Sequence, residues 1–216
     1  MPGDFSGDSQ GRDCPLCPRL AAFRATQRLA HPDWFNAPVP SFGDAAPELL
    51  IVGLAPGLRG ANRTGRPFTG DYAGDLLYPT LLKSGFATGS YGADAQDGLE
   101  LRRARITNAV RCVPPQNKPE GPEIAACRRF LAAELASLPR LKAILALGAI
   151  AHNAVLAAKE LTRARYKFAH GALHELPDGT ILADSYHCSR LNTNTGTLTE
   201  AMFEAVIGAL AGRLAT

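Results

Sequence analysis

Several side chains able to do chemistry stand in the loops of this chain or at the ends of its apolar runs. Asp71 ends the glycine-rich stretch 53–71, GLAPGLRGANRTGRPFTGD, which also carries Phe68 and the arginines Arg59, Arg63 and Arg66. Asn108 lies near the end of the run RITNAV, Asn117 sits in the proline loop CVPPQNKP, and His187 opens the polar stretch HCSRLNTNTG. A carboxylate can stabilise a cation or orient water. A neutral imidazole can donate a hydrogen bond to developing negative charge. An amide offers a donor and an acceptor and so can read the edge of a base. Phe68 can stack on a flat ligand. Arg63, Arg66, Arg111, Lys118 and Arg190 fall in these same loops rather than on helices, a local basic patch suited to phosphate. Each also has an ordinary reading: Asp71 caps the helix that begins at Tyr72, the asparagines cap turns, Phe68 fills a small satellite core, and the arginines form a solvated face.

The cysteines form a second constellation. Cys14 and Cys17 stand in a C-x-x-C turn, Cys112 opens the proline loop, Cys127 follows within a helix, and Cys188 is left over. Four thiolates suit either tetrahedral zinc or an iron–sulfur cluster, and spacing alone leaves both open. In either case the role is structural, tying the N-terminal segment to the loop before the next helix.

The elements that must position these groups follow from apolar patterning. Residues 1–13 read as a disordered tail, and Pro18–Leu29 as a helix. The proline-rich 31–47 is an irregular connector. Leu49–Leu54 is a short apolar run of the kind that forms a buried strand. Tyr72–Gly85 has helical spacing, with Pro79 expected to kink or shorten it. After the loop 86–103 comes a second strand, Arg105–Val110, then irregular chain over 112–120. A helix over Glu123–Leu138, a strand over Ala143–Leu147 and a helix over Gly148–Leu161 follow. Short strands at Phe168–Leu176 and Ile181–Ser185 flank the turn Pro177-Asp178-Gly179. His187–Leu198 is a polar loop, and Thr199–Leu214 the last helix. Strands alternating with helices predict an α/β domain, 14–216, with a central parallel sheet covered on both faces. Ligands of such sheets bind beyond the carboxyl ends of the strands, where Asp71 and His187 should stand.

Composition sets limits. The chain has 216 residues, 46% of them hydrophobic and 20% charged, with a net charge of +3. Bulk charge alone does not call for nucleic acid, so any such footprint is local. No apolar stretch of about 18 residues predicts a membrane span, and the polar N-terminus lacks a signal-peptide pattern. We expect a cytoplasmic protein, in which cysteines serve metal or catalysis rather than disulfides.

Four segments together resemble the uracil-DNA glycosylase superfamily: 53–71, 112–119 (CVPPQNKP), 186–196 (YHCSRLNTNTG) and the cysteine set. The likeness is to family 5, type b, and spans the chain from Cys14 to the last helix. The resemblance implies a three-layer α/β/α sandwich around a four-stranded parallel sheet. It implies a [4Fe–4S] cluster on Cys14, Cys17, Cys112 and Cys127, in place of zinc. It implies catalysis by Asp71 and His187, a base stacked on Phe68, and substrate contacts from Gly53, Ala55, Asn108 and Asn117. DNA contacts fall to Arg63, Arg66, Arg190 and Leu191, the last as a wedge in the opened groove. The implied reaction is hydrolysis of the N-glycosidic bond of a flipped deoxyuridine by a monomeric, monofunctional enzyme, since no lysine is placed for a Schiff base. Two positions depart from the family-5 pattern. Asn108 replaces a small apolar residue and resembles family 4 and other uracil-selective members, which favours sharper reading of uracil. Cys188 likewise replaces a small residue, with packing as its expected role. Two other readings remain: an electron-transfer module, which would not need Asp71 or His187, and a metal-dependent phosphoester hydrolase, for which Asp75 is the one candidate second carboxylate.

Overall fold

The computed structural model describes residues 10–215. The strands are β1 (Phe42–Gly43), β2 (Leu49–Gly53), β3 (Ala87–Thr88), β4 (Glu100–Leu101), β5 (Ala104–Asn108), β6 (Ala143–Leu147), β7 (Leu173–Glu175) and β8 (Ile181–Ser185). The α-helices are α1 (Pro18–Ala30), α2 (Ala61–Thr64), α3 (Tyr72–Lys83), α4 (Gly121–Ala136), α5 (Ala149–Ala158), α6 (Arg190–Asn194) and α7 (Glu200–Leu214). The main sheet runs β1-β5-β2-β6-β8-β7. Its four central strands are parallel. The short edge strands β1 and β7 pair antiparallel, so the expected four-stranded parallel core carries two further strands.

β2 is buried along its whole length, and its sequence says why. Successive side chains of a strand point to opposite faces. Leu49 and Ile51 enter one core with Leu77, Leu81, Phe203 and Ile207, which belong to α3 and α7. Leu50 and Val52 enter the other with Leu131, Val155 and Leu156, from α4 and α5. A strand apolar at every position therefore demands helices on both sides, which gives the three layers. Register aligns the carboxyl ends: Gly53 pairs with Asn108 and Leu147 with Ser185. The loops leaving those ends share one edge of the sheet.

Boundaries differ from the sequence reading in informative ways. α3 runs through Pro79 and stops at Lys83, with Gly85 beyond it at φ +74°. The expected strand 168–176 contracts to Leu173–Glu175, because Gly171 already turns the chain at φ +78°. The expected loop 86–103 holds the two-stranded β3–β4 sheet, and the polar loop after His187 contains α6. Of the expected tail, residues 1–9 lie outside the described residues. Residues 10–13 are bonded to the domain: Arg28 holds the Asp13 carboxylate at 2.5 Å and the Arg12 carbonyl at 2.9 Å. No described helix is long and apolar enough to cross a membrane.

A buried polar group anchors β8. Asp184, fully buried, accepts hydrogen bonds from the rings of His152 (2.7 Å) and His174 (3.1 Å). The other ring nitrogen of His152 faces the Tyr166 carbonyl at 2.9 Å. α5 and β7 are thereby fastened to the strand that delivers His187.

Candidate active site

The stretch 53–71 is built around one carboxylate. Asp71 is the N-cap of α3, and its Oδ1 accepts from the backbone N–H groups of Ala73 (3.2 Å) and Gly74 (3.4 Å). The capping reading is correct for that oxygen. Oδ2 lies instead against Gly57 and Gly60, where a methyl group would come within 3.0 and 2.3 Å of it. These two glycines are the space the second oxygen occupies, so one carboxylate both caps the helix and faces the cleft. Burial pushes the Asp71 pKa above the ordinary carboxylate value, against the pull of the Gly74 and Ala73 N–H groups.

Phe68 holds a left-handed backbone (φ +53°), a conformation a bulky residue adopts only under constraint. The constraint is visible. Tyr78 donates to the Pro67 carbonyl at 2.6 Å, and Tyr91 to the Phe68 carbonyl at 3.3 Å. Only a glycine fits at 74, where a Cβ would fall 1.9 Å from that same Phe68 carbonyl oxygen.

Arg66 belongs to this clamp and not to a DNA surface. Its guanidinium is buried, paired with Asp97 at 2.7 and 2.8 Å and bonded to the Thr69 hydroxyl at 2.7 Å. It also lies over the rings of Phe42, Tyr78 and Tyr91. The expected phosphate contact is thus corrected: three rings and a carboxylate enclose Arg66 more fully than its position in a loop implied. Arg111 is likewise engaged, with Glu134 at 2.8 Å and the Phe130 ring.

Across the cleft, His187 follows β8, and its carbonyl accepts from the Asn192 side chain at 2.8 Å. Its neighbour Cys188 is fully buried in the core, the packing role expected of it. The His187 ring stands 5.9 Å from that of Phe68, tilted by 33°. Burial pulls its pKa down to about 4, so the imidazole is neutral near pH 7.

These groups meet. One cleft of about 460 Å³ is lined by Ala55, Phe68, Asp71, Asn108, Asn117 and His187, with Tyr72, Ser189, Arg190 and Leu191 at its margin. Gly53 sits behind it; a Cβ there would lie 2.4 Å from the Asn108 amide oxygen and 2.5 Å from the Phe68 ring. That Asn108 oxygen is buried and has no protein partner, an acceptor left for a ligand. Asn117 projects from a loop in which both it and Gln116 have φ near +55°. Leu191 is 72% exposed on α6, and Arg190 is exposed beside it. Arg63 is exposed but faces away from this cleft, into a groove with Arg59. Asp75, the candidate second carboxylate, is exposed and does not line the cleft. The sequence reading missed Gly57, Gly60, Tyr72 and Ser189; the glycine spacing before an aspartate was the available signal.

The four cysteines Cys14, Cys17, Cys112 and Cys127 pack into one small cluster with Leu20, Val110 and Phe130. Arg24 donates to the Cys112 sulfur at 3.4 Å and to the Cys14 carbonyl at 2.9 Å. Arg19 bonds Glu123 at 2.7 Å, joining α1 to the start of α4. Burial raises the thiol pKa of Cys17, Cys127 and Cys112, the last to about 12.

Comparison with known proteins agrees with this architecture. The family model "Uracil DNA glycosylase superfamily" matches residues 40–211. A type-5 uracil-DNA glycosylase of Thermus thermophilus is 46% identical over 200 residues, covering 90% of each chain. One of Mycobacterium leprae is 42% identical, covering 89% of this chain and 88% of its own. One of Pyrobaculum aerophilum is 40% identical, covering 87% and 83%. The match takes in the sheet, the loop 53–71 and the His187 loop, and by it the chain belongs to the uracil-DNA glycosylase superfamily.

Proposed function

We propose that this protein is a monofunctional uracil-DNA glycosylase that hydrolyses the N-glycosidic bond of a flipped deoxyuridine, the first step of base excision repair. One observation carries the reading: Asp71 and His187, 116 positions apart in the chain, line one cleft together with Phe68 and Asn108. The target bond is inaccessible inside a duplex, so the nucleotide is extruded, at a cost of about a few kcal/mol. Leu191 is the wedge that fills the space left behind, and Arg190 meets the adjacent phosphate. Phe68 stacks on the base, and Asn108 and Asn117 read its edge. The Asn108 acceptor suits an N–H, which uracil presents at N3.

As the bond from C1′ to the base nitrogen breaks, its electron pair goes to uracil and positive charge grows on the sugar. Asp71, ionised, stabilises that charge and orients water through Oδ2. The water oxygen bonds to C1′ and its proton passes to the carboxylate or to solvent. His187, neutral, donates to a uracil carbonyl that is becoming an anion. An imidazole that cannot protonate near pH 7 keeps the charge balance of the slot fixed. Losing such a donor typically costs about 2.7–4 kcal/mol. No lysine lines the cleft among the described residues, in keeping with base release without strand cleavage.

Cys14, Cys17, Cys112 and Cys127 would hold a [4Fe–4S] cluster. Their side chains gather in one cluster, which supports a shared four-thiolate site. The cationic Arg24 beside Cys112 suits a thiolate-bound, anionic centre. The group would supply a cross-link between the α1 segment and α4, apart from the cleft.

The test is incubation with a uracil-containing oligonucleotide followed by alkaline cleavage of abasic sites, with Asp71→Asn alongside. Asparagine caps helices as well as aspartate does, so the variant should fold and bind abasic DNA while losing base release. Wild-type turnover by that variant would remove Asp71 from the mechanism.

A further inference from the structure

A second groove lies on the far side of α2 from the base cleft. It also measures about 460 Å³ and is lined by His31, Trp34, Leu58, Arg59, Arg63 and Gly70. Its aromatic wall is a stacked pair: the rings of His31 and Trp34 lie 3.8 Å apart and 9° from parallel. Its other wall carries two exposed guanidinium groups. Arg63 is held along the loop by its Nε bond to the Arg59 carbonyl, and neither arginine has an acidic partner among the described residues.

The groove is rigidly joined to the base cleft. The N–H groups of Phe35 and Asn36 donate to the carbonyls of Arg63 and Asn62, each at 3.0 Å. The buried side chains of Asn62 and Asn36 meet at 2.9 Å. α2 is therefore a shared wall, with Ala61 facing the cleft and Arg63 the groove. A cationic edge beside an aromatic platform is the usual arrangement for an unpaired nucleotide, with phosphate on the arginines and base on the rings.

We propose that this groove holds the nucleotide next to the flipped one on the same DNA strand, its base stacked on the Trp34–His31 pair and its phosphate between Arg59 and Arg63. The inference rests on the glycosylase reading of the neighbouring cleft. The occupant follows from charge complementarity, two exposed guanidinium groups opposite a stacked ring pair, and from the shared α2 wall that sets this groove beside the base cleft. The groove would make binding depend on the presence of a neighbour and would favour sites where that neighbour is easily unstacked.

Trp34 is the sole tryptophan of the chain, so its fluorescence reports this groove directly. The experiment titrates the full-length protein with a single-stranded oligonucleotide bearing a tetrahydrofuran abasic site, and with two shorter versions ending at that site on the 5′ or the 3′ side. Stacking should quench Trp34, and one of the truncations should abolish the quenching. Trp34→Ala should raise KM on uracil-containing single strands by about tenfold or more, with a much smaller loss in kcat, and Trp34→Phe should restore most of it. The double variant Arg59→Ala/Arg63→Ala should lower the salt dependence of log Kd by about one to two phosphate contacts. Unchanged fluorescence, quenching that appears only with a complementary strand, or a Trp34→Ala enzyme with wild-type KM would each overturn the proposal. Failure of the glycosylase reading would show differently, as absence of uracil release from the wild-type protein whatever Trp34 reports.

Discussion

The Asp71 carboxylate should be sensitive to a single methyl group on the opposite wall. Gly60 is the N-cap of α2, at φ −94° and ψ −113°, and the methyl group an alanine adds there falls against the carboxylate. Its Cβ would stand 2.3 Å from Asp71 Oδ2 and 2.7 Å from Cγ. Ordinary carbon–oxygen contact needs about 3.4 Å or more, so the carboxylate must retreat by about 1 Å. A misplacement of that size in a catalytic group costs about 100-fold in rate, equivalent to about 2.7 kcal/mol of transition-state stabilisation. The retreat also strains the bonds from Oδ1 to the N–H groups of Ala73 and Gly74, with a capping cost of about 1 kcal/mol. Gly57→Ala is the matched control. Its methyl would reach only 3.0 Å, which a shift of a few tenths of an ångström relieves, and the loss should stay below about tenfold. The assay is single-turnover release of uracil from a defined oligonucleotide, with binding to abasic DNA and thermal melting measured on the same preparations. A folded Gly60→Ala protein that turns over at the wild-type rate, or equal losses in the two variants, would show that Oδ2 does not act where this geometry puts it.

Two further outcomes follow. The proposed mechanism uses Asp71 ionised and His187 neutral; burial raises the carboxylate pKa and pulls the imidazole down to about 4, so acid should remove both states. Single-turnover rates should therefore fall as the pH drops into the acid range; a rate that instead falls as pH rises through the ordinary histidine value of about 6.5, the mark of an imidazolium donor, would refute the neutral-donor role. Arg66→Ala breaks an ion pair whose two side chains are each 5% exposed. It should destabilise the fold by about 3–5 kcal/mol in urea unfolding while leaving the salt slope of DNA binding unchanged, whereas Arg190→Ala should reduce that slope by about 1.

Much of the architecture was legible in local pattern. The unbroken apolar run at 49–52 read as a buried strand, and the glycine and proline punctuation after it as a long loop at that strand's end, and both are so in the structure. The two catalytic candidates, the ring at 68 and the asparagines were identified by residue type and by position after apolar runs, and they do share one cleft. Elements shorter than a period were not legible. β1, β3 and β4 have two residues each, and α6 has five polar-rich ones, so no periodicity exists to read. Their conformation comes from what they pack against.

What the chain's own order of residues determined is the layering, the loops and the kind of chemistry each loop can offer, because helix and strand periods, caps and turns are set by neighbours a few positions apart. Which oxygen of Asp71 caps and which faces the cleft, that Arg66 is a buried clamp while Arg63 lines a separate groove, and that Trp34 stands beside that groove were decided only by tertiary packing. Burial and convergence depend on residues tens or hundreds of positions distant, and an exposed arginine and an enclosed one are spelled alike until the sheet brings Asp97 and three rings around one of them.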